Sequence, residues 1–414
     1  MAISKPVSLD STVSLLEELT TDPSAIPSEL RSDDQLRKRL ISAIQKLIPE
    51  LETPAEACQR VLYHALELPM ARTAIDMNIF NNLKESSSPL TTEEVARKSG
   101  KAPDQKLLAR ILRYLASLSL ICEVDTGLWT ASHFGNNLSG KGQSAGVCTM
   151  VDSCFAAMIT LPAFLRRHNY HPPETEDDTA FAQANRVSAE EKTFFDWLKT
   201  RPENARDFNL FMGTHRTGVR TWLDRPDVVE EIKSSFEKVT AGKGGEKGVS
   251  FVDIGGGIGH QCKAFQQHVP DLKGTIILED LEEVIANAEL EDGIEKVAVN
   301  FLEGQPVKGA ASYYLRSTLR NWSDPYARII LGHIRDAMDE HSLLLIDELV
   351  PPDYGAHRYE TQMDLVMLAM LNAEARTETH WKQLLSEVGF EVKDIVCYED
   401  DAREAIIMAK KASS

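Results

Sequence analysis

The stretch Phe251-Val252-Asp253-Ile254-Gly255-Gly256-Gly257-Ile258-Gly259 restricts the possible folds more than any other part of the chain. Apolar residues around Asp253 make a buried strand that runs straight into a glycine-rich turn, and residues 260–268 fit a helix. Glycines let backbone come close to a ligand at positive φ, and the helix N-terminus behind them presents unpaired N–H groups. Further strands are expected over 249–254, 274–278, 297–301, 311–315, 343–346, 392–397 and 402–410, with a helix over 281–288. Strand–helix alternation of this kind implies an α/β, Rossmann-like, doubly wound and largely parallel sheet.

Two ligand classes suit such a turn. Asp253 precedes it and Asp280 closes the next strand, where a carboxylate can accept both hydroxyls of a ribose. The spacing Gly255-x-Gly257-x-Gly259 lacks the glycine three positions after the second that dinucleotide folds use to seat a pyrophosphate. The pattern therefore favours S-adenosylmethionine over a dinucleotide.

Composition narrows the remaining classes. The chain has 45 basic and 63 acidic residues among 414, a formal charge of −18 with histidine neutral. Neutralising phosphates needs a basic face, so non-specific nucleic-acid binding is not expected. No uninterrupted run of about eighteen apolar residues occurs, so no membrane span is expected. The segment after Met1 lacks the apolar stretch of a secretory signal. The cysteines at 58, 122, 148, 154, 262 and 397 are scattered, with no pair in C-x-x-C. Reduced thiols in a cytoplasmic protein and no metal site are the expectation.

The chain reads as four parts: a helical arm over 1–60, a winged-helix module over 61–135, a helical region over 136–240 rich in Met, Phe and Trp, and the nucleotide-type domain over 241–414, with 242–248 as a linker. In the second part a helix is expected over 71–83. Another follows Thr91 or Thr92, with Glu94 reaching back and Ser99-Gly100 ending it. A third begins at Asp104, with Leu107, Leu108, Ile111, Leu112, Leu115 and Leu118 at helical spacing. A hairpin turns at Asp125-Thr126-Gly127. Such a module either binds DNA, as in a ligand-sensing regulator, or serves as a dimerisation unit. Only Lys106, Arg110 and Arg113 are basic in the third helix, which favours dimerisation.

Residues 252–259, Pro270, Asp280-Leu281, Trp322-Ser323-Asp324 and Gly389-Phe390 together resemble the S-adenosylmethionine-dependent O-methyltransferases of plant and fungal secondary metabolism, the caffeic-acid-type family, over roughly residues 60–410. The resemblance implies a class I methyltransferase domain with an N-terminal winged-helix dimerisation domain, a homodimer, and S-adenosylmethionine as cofactor. It places Asp253, Gly255 and Gly257 at the methionine part, Asp280 on the ribose, and Leu281 on the adenine. Asn300 and Phe301 fall where the family holds the adenine amine, and Arg316 falls on a carboxylate-binding lysine. Phe208 and Met212 match the substrate-packing helix, and Trp322 lies beside the substrate.

The catalytic segment departs from that family. There it reads His-Asp-Trp, and the histidine deprotonates the substrate hydroxyl; here it is Leu319-Arg320-Asn321-Trp322. A guanidinium does not accept a proton near neutral pH. Of the two glutamates that orient the family's histidine, one is kept as Glu348, while the other position reads Ala375-Arg376-Thr377, with Glu374 one residue off register. Three readings follow: loss of activity, methyl transfer to an oxygen already ionised, or a repurposed site. A small fungal branch, the leporin-type pericyclases, binds S-adenosylmethionine as a cation and catalyses dehydration and hetero-Diels–Alder or Alder-ene cyclisation of 2-pyridone intermediates. An arginine in place of the histidine resembles that branch, since a fixed cation donating to a ketone or pyridone oxygen activates the acceptor. The expectation is a pericyclase acting on a polyketide-type small molecule, with Arg320, Asn321 and Glu348 catalytic. O-methyl transfer is the alternative. That branch also uses a histidine on its substrate helices, for which His168 and His171 are the nearest candidates.

Overall fold

The computed structural model describes residues 8–21, 26–173, 175, 177–185, 191, 193–214, 220–241, 248–286, 288–399 and 403–412. Of the expected linker, residues 242–247 lie outside the described residues. The chain divides into two compact units, Met1–Glu67 and Leu68–Ser414.

The first unit is helical. Asp33 caps helix Asp34–Leu51 by accepting from the Leu36 N–H at 2.9 Å. Thr53 and Glu56 form a reciprocal capping box on helix Pro54–Tyr63. Neither helix buries a side chain. Leu36, Leu40, Ile44, Leu47, Ile48 and Leu51 recur at three- and four-residue spacing and stand exposed as one apolar stripe.

The second unit opens with the winged-helix pattern. The helix expected over 71–83 is broken in two, Glu67–Asp76 and Ile79–Lys84, because Asn78 takes a left-handed conformation at φ 54°. Strand β1 (Leu90–Thr91) leads into helix Thr92–Ser99, whose Thr91/Glu94 capping box and Gly100 terminus at φ 67° match the sequence signals. Asp104 caps helix Gln105–Ser117, and β2 (Ile121–Asp125) and β3 (Leu128–Ala131) make the hairpin. Leu108, Leu112 and Leu115 enter a core with Phe80, Val95 and Trp129, but Leu107 is 49% exposed, so the buried face is narrower than the spacing implied.

A continuous helix of 27 residues, Lys141–Arg167, follows. It is long and apolar enough to cross a membrane by length and composition alone. Lys141, Gln143 and Asp152 interrupt its apolar run without ending the helix. About a third of its apolar window, 33%, is buried, and Ile159 stands 66% exposed. Gly142 and Gly146 let helix Pro202–Thr214 come close, since a Cβ at Gly146 would lie 2.8 Å from the Phe211 ring. Its π-helical turn, Met150–Cys154, carries Asp152, which pairs with Arg72 at 2.8 Å. Phe164 joins Phe181, Phe194, Trp197 and Met370 in the core of this region.

The last part is the α/β sheet, with β4 (Val249–Ile254), β5 (Thr275–Asp280), β6 (Ile294–Ala298), β7 (Ser312–Arg316), β8 (Leu343–Leu349), β9 (Phe390–Glu399) and β10 (Glu404–Lys411) in the order β6-β5-β4-β7-β8-β10-β9. Strands β4 to β8 pair in parallel, and β10 runs antiparallel between β8 and β9. One face packs on helices Asp324–Ala337 and Glu378–Val388, the other on Pro226–Thr240 and His260–His268. This is the doubly wound class I methyltransferase fold. Several strands extend past their expected ends by one to three residues, and those added residues, Glu279, Asp280, Arg316, Asp347 and Glu348, are the polar ends that build the site. The chain winds outward from β4 to β6 and returns to β7, so the order reverses between β4 and β7. Ligands of open parallel sheets bind in the crevice at that point, beyond the carboxyl ends of the strands.

Candidate active site

The glycine turn is pinned to the neighbouring strand: Gly255 and Gly256 both donate to the Glu279 carbonyl, at 2.8 and 3.1 Å. Gly255 and Gly257 have φ of 69° and 62°, and a Cβ at Gly257 would meet nothing within 4 Å, so that side of the turn is open. Asp280 closes the other side. Its carboxylate accepts from the Gly257 N–H and the Leu281 N–H, each at 2.8 Å, which fixes it across the turn with lone pairs left over. Burial pushes its pKa up, and the two backbone donors oppose that. Ile258 and Leu281, 47% and 41% exposed, leave two large apolar side chains in solvent beside this carboxylate. A ribose on Asp280 with a purine over Leu281 satisfies both observations, so the residues fit an adenosine ligand.

The strand ends on either side carry charge. Asp253 is buried, with the Cys262 thiol donating to it at 3.5 Å. Desolvation pushes its pKa up to about 7, against the pull of Cys262 and of the Arg316 guanidinium. Arg316, at the end of β7, pairs with Asp347 of β8 at 3.4 Å, the residue opposite it in the register. Asn300 is less available than its position suggests. Its amide donates to Glu303 at 2.8 Å and accepts from the Leu302 N–H at 3.1 Å, closing its own loop. Phe301 is the better-placed residue there. It lies edge-to-face with Trp322 at 5.7 Å, and its carbonyl is met by His333 at 3.1 Å.

Arg320 sits in a single 3₁₀ turn, Leu319–Asn321, after Ser317, which is held left-handed at φ 50°. Its Nη2 donates to Ser317 Oγ, its backbone N–H donates to Glu348 Oε1 at 3.2 Å, and its Nε lies 3.2 Å from Glu348 Oε2. Asn321 donates to the Ser317 carbonyl at 3.1 Å, bracing the turn rather than pointing away from it. Glu348 is buried, which pushes its pKa up, while Arg320 pulls it down. Among the described residues Glu348 Oε2 has no hydrogen-bond partner besides that ion pair.

Sequence reasoning missed the residue that fixes this turn. The Arg376 side chain, 0% exposed, donates from Nε to Asp324 Oδ1 at 2.9 Å, from Nη1 to the Leu319 carbonyl at 2.9 Å, and from Nη2 to the Trp322 carbonyl at 2.7 Å. It therefore grips the chain on both sides of Arg320 and Asn321. Its only signal was its place in Ala375-Arg376-Thr377. Glu374 faces His380 at 3.7 Å and is not in the Arg320 cluster. Asp324, Glu374 and His380 converge, but Arg376 and His380 already occupy the two oxygens of Asp324.

Phe208 and Met212 lie on helix Pro202–Thr214, with Phe208 edge-to-face against Phe194 at 5.4 Å. Helix Arg358–Leu371 links the two groups, packing on the aromatic core through Ala369 and Met370 and touching the Arg320 turn. His168 lies tilted against Phe164, with ring centroids 4.7 Å apart, and pairs with Asp178 at 3.1 Å, and His171 is exposed.

Residues 60–138 match the O-methyltransferase dimerisation domain and residues 221–391 the O-methyltransferase domain. The methyltransferase cfoC of Aspergillus candidus is 32% identical, over 95% of this chain and 96% of that protein. A structure of LepI in complex with SAM superposes with a TM-score of 0.85 at 29% identity, covering 97% of this chain and 99% of that one. A structure described as a pericyclic reaction enzyme superposes with a TM-score of 0.83 at 30% identity, covering 97% and 100%. Family, fold and turn geometry agree: the chain belongs to the O-methyltransferase family and takes S-adenosylmethionine as its cofactor.

Proposed function

We propose that this protein is a pericyclase built on the O-methyltransferase fold, catalysing dehydration or cyclisation of a polyketide-derived, 2-pyridone-type intermediate. The observation that carries the reading is Arg320, a cation at the position where the family places its base. Glu348, Ser317 and the Arg376 clip hold it in one geometry, which is what electrostatic catalysis demands of a donor. Its Nη1 makes no hydrogen bond among the described residues, leaving one edge of the fork for a substrate oxygen. Bound S-adenosylmethionine supplies a second positive charge, its sulfonium. Asp280, Leu281 and Phe301 hold the adenosine end, and Gly255, Gly257, Asp253 and Arg316 hold the amino-acid end. Asn300 closes the loop that presents Phe301. Asn321 braces the turn, Trp322 walls the reacting centre, and Phe208 and Met212 line the apolar substrate side.

The same arrangement supports a second reading, O-methyl transfer to an oxygen already ionised, with Arg320 pairing the oxyanion. Its support is the methyltransferase named among the relatives. For the assembly, the exposed stripe on helix Asp34–Leu51 and the dimerisation match support a homodimer in which the arm over 1–60 and the module over 61–135 carry the contacts, with 136–240 for substrate and 241–414 for cofactor. Arg320→Ala should slow turnover by about 10²-fold or more, the usual effect of losing a transition-state donor. Arg320→Lys should recover part of it, because a point charge replaces a planar fork. Turnover unchanged in Arg320→Ala removes Arg320 from the mechanism under either reading.

A further inference from the structure

Three side chains converge on the Asp347 carboxylate, and the mechanism above does not use it. It lies 1% exposed at the end of β8. Tyr314 donates to Oδ2 at 2.5 Å, Tyr398 donates to Oδ1, and the Arg316 Nε lies 3.4 Å from Oδ2. The Tyr314 oxygen also accepts from Trp222 Nε1 at 3.0 Å, and of the two acceptors its hydroxyl can reach, Asp347 is nearer than Gln261 Oε1 at 3.3 Å. A carboxylate wedged between two phenols on different strands has no rotational freedom, so the guanidinium paired with it inherits a fixed position.

Arg316 is the group this assembly fixes. It ends β7, the strand beside the reversal point, between Asp253 on β4 and Asp347 on β8. Its charge also reaches Asp253 on β4, where it opposes the upward push of burial on that carboxyl. An arginine in the lysine's place has comparable rotamer freedom to lose, and a buried anchor is what restricts it.

We propose that Asp347, clamped by Tyr314 and Tyr398, is a positioning residue that aims Arg316 at the carboxylate of the cofactor's amino-acid end, and so sets the preference for cofactors carrying that group. This rests on the assignment of Arg316 to the cofactor carboxylate given above. The prediction concerns discrimination between ligands rather than overall affinity. S-adenosylhomocysteine has the amino-acid end, whereas 5′-methylthioadenosine keeps only the nucleoside and thioether.

Titration calorimetry of both ligands against the full-length protein tests it. Asp347→Asn keeps the shape and removes the charge. It should weaken S-adenosylhomocysteine by about tenfold or more, as for loss of a charged hydrogen-bond partner, and leave 5′-methylthioadenosine unchanged. Tyr398→Phe keeps the ring and removes one donor, and should move the same ratio by a smaller step. A ratio unchanged in both variants, or an equal fall for both ligands, overturns the positioning role and leaves Asp347 a packing residue. Arg316→Ala separates the two claims. If it collapses the ratio while Asp347→Asn does not, only the positioning role is lost; if Arg316→Ala leaves the ratio intact, the assignment of Arg316 itself is wrong.

Discussion

Replacing Arg376 by lysine is the sharpest perturbation of the Arg320 turn that leaves Arg320 in place. Arg376 is fully buried and its three donors reach Asp324, the Leu319 carbonyl and the Trp322 carbonyl, while its guanidinium lies over the Trp381 ring at 5.1 Å. A lysine keeps the charge but cannot span three acceptors set around a planar fork. Kept on Asp324, it leaves the two carbonyls of the turn without donors. Hydrogen bonds from charged groups contribute about 1.5–3 kcal/mol each, so losing two destabilises by about 3 kcal/mol or more. At roughly 2–4 °C per kcal/mol for a domain of 150–250 residues, the melting temperature should fall by about 6–12 °C. Differential scanning fluorimetry reads this directly. Arg328→Lys is the control. Arg328 is a surface partner of the same Asp324 at 3.4 Å and of Glu387 at 2.9 Å, and exposed pairs of this kind contribute less than about 1 kcal/mol. An Arg376→Lys protein that melts with the Arg328→Lys control would refute the claim that this guanidinium holds the turn.

Asp280→Ala should weaken S-adenosylmethionine by roughly 1.5–3 kcal/mol, a 10- to 150-fold loss measurable by calorimetry, because the ribose loses its charged acceptor. Burial pushes the Glu279 pKa up to about 7 from 4.5, while Gln305 donates to it at 2.7 Å. The folded state therefore keeps a proton that the unfolded chain has released, and stability declines as pH rises from about 4.5 to about 7. Glu279→Gln, still able to accept from Gln305, should melt higher than the parent near pH 8 and alongside it near about pH 4.5; a constant gap at both pH values would contradict the burial argument. Sedimentation velocity at micromolar concentration should show a dimer, and changing Leu40, Ile44 and Leu47 together to serine should shift it toward monomer; an unshifted dimer would place the interface elsewhere.

The strand–turn–helix at 251–268, the capping box at Thr91 and Glu94, and the alternation of strands and helices were legible because each depends on neighbours close in sequence. The break at Asn78 was not, since a single left-handed residue interrupts an otherwise helical pattern. Arg376 and Asp347 were illegible for another reason. Arg376 meets carbonyls more than fifty residues upstream, and Asp347 meets Tyr314 and Tyr398 from other strands, so only the folded sheet brings them together. Asn300 shows the opposite case: an alignable position whose amide the local loop takes for itself.

Whether the bound sulfonium is consumed separates cyclisation from methyl transfer. The direct measurement is mass-spectrometric quantification of S-adenosylhomocysteine against product, in one reaction containing the protein, S-adenosylmethionine and a 2-pyridone alcohol bearing a diene side chain. The pericyclase reading predicts dehydrated or cyclised product, of unchanged carbon count, with no S-adenosylhomocysteine above the protein-free background. One S-adenosylhomocysteine formed for each product, with the product heavier by a methylene unit, would contradict it and establish methyl transfer.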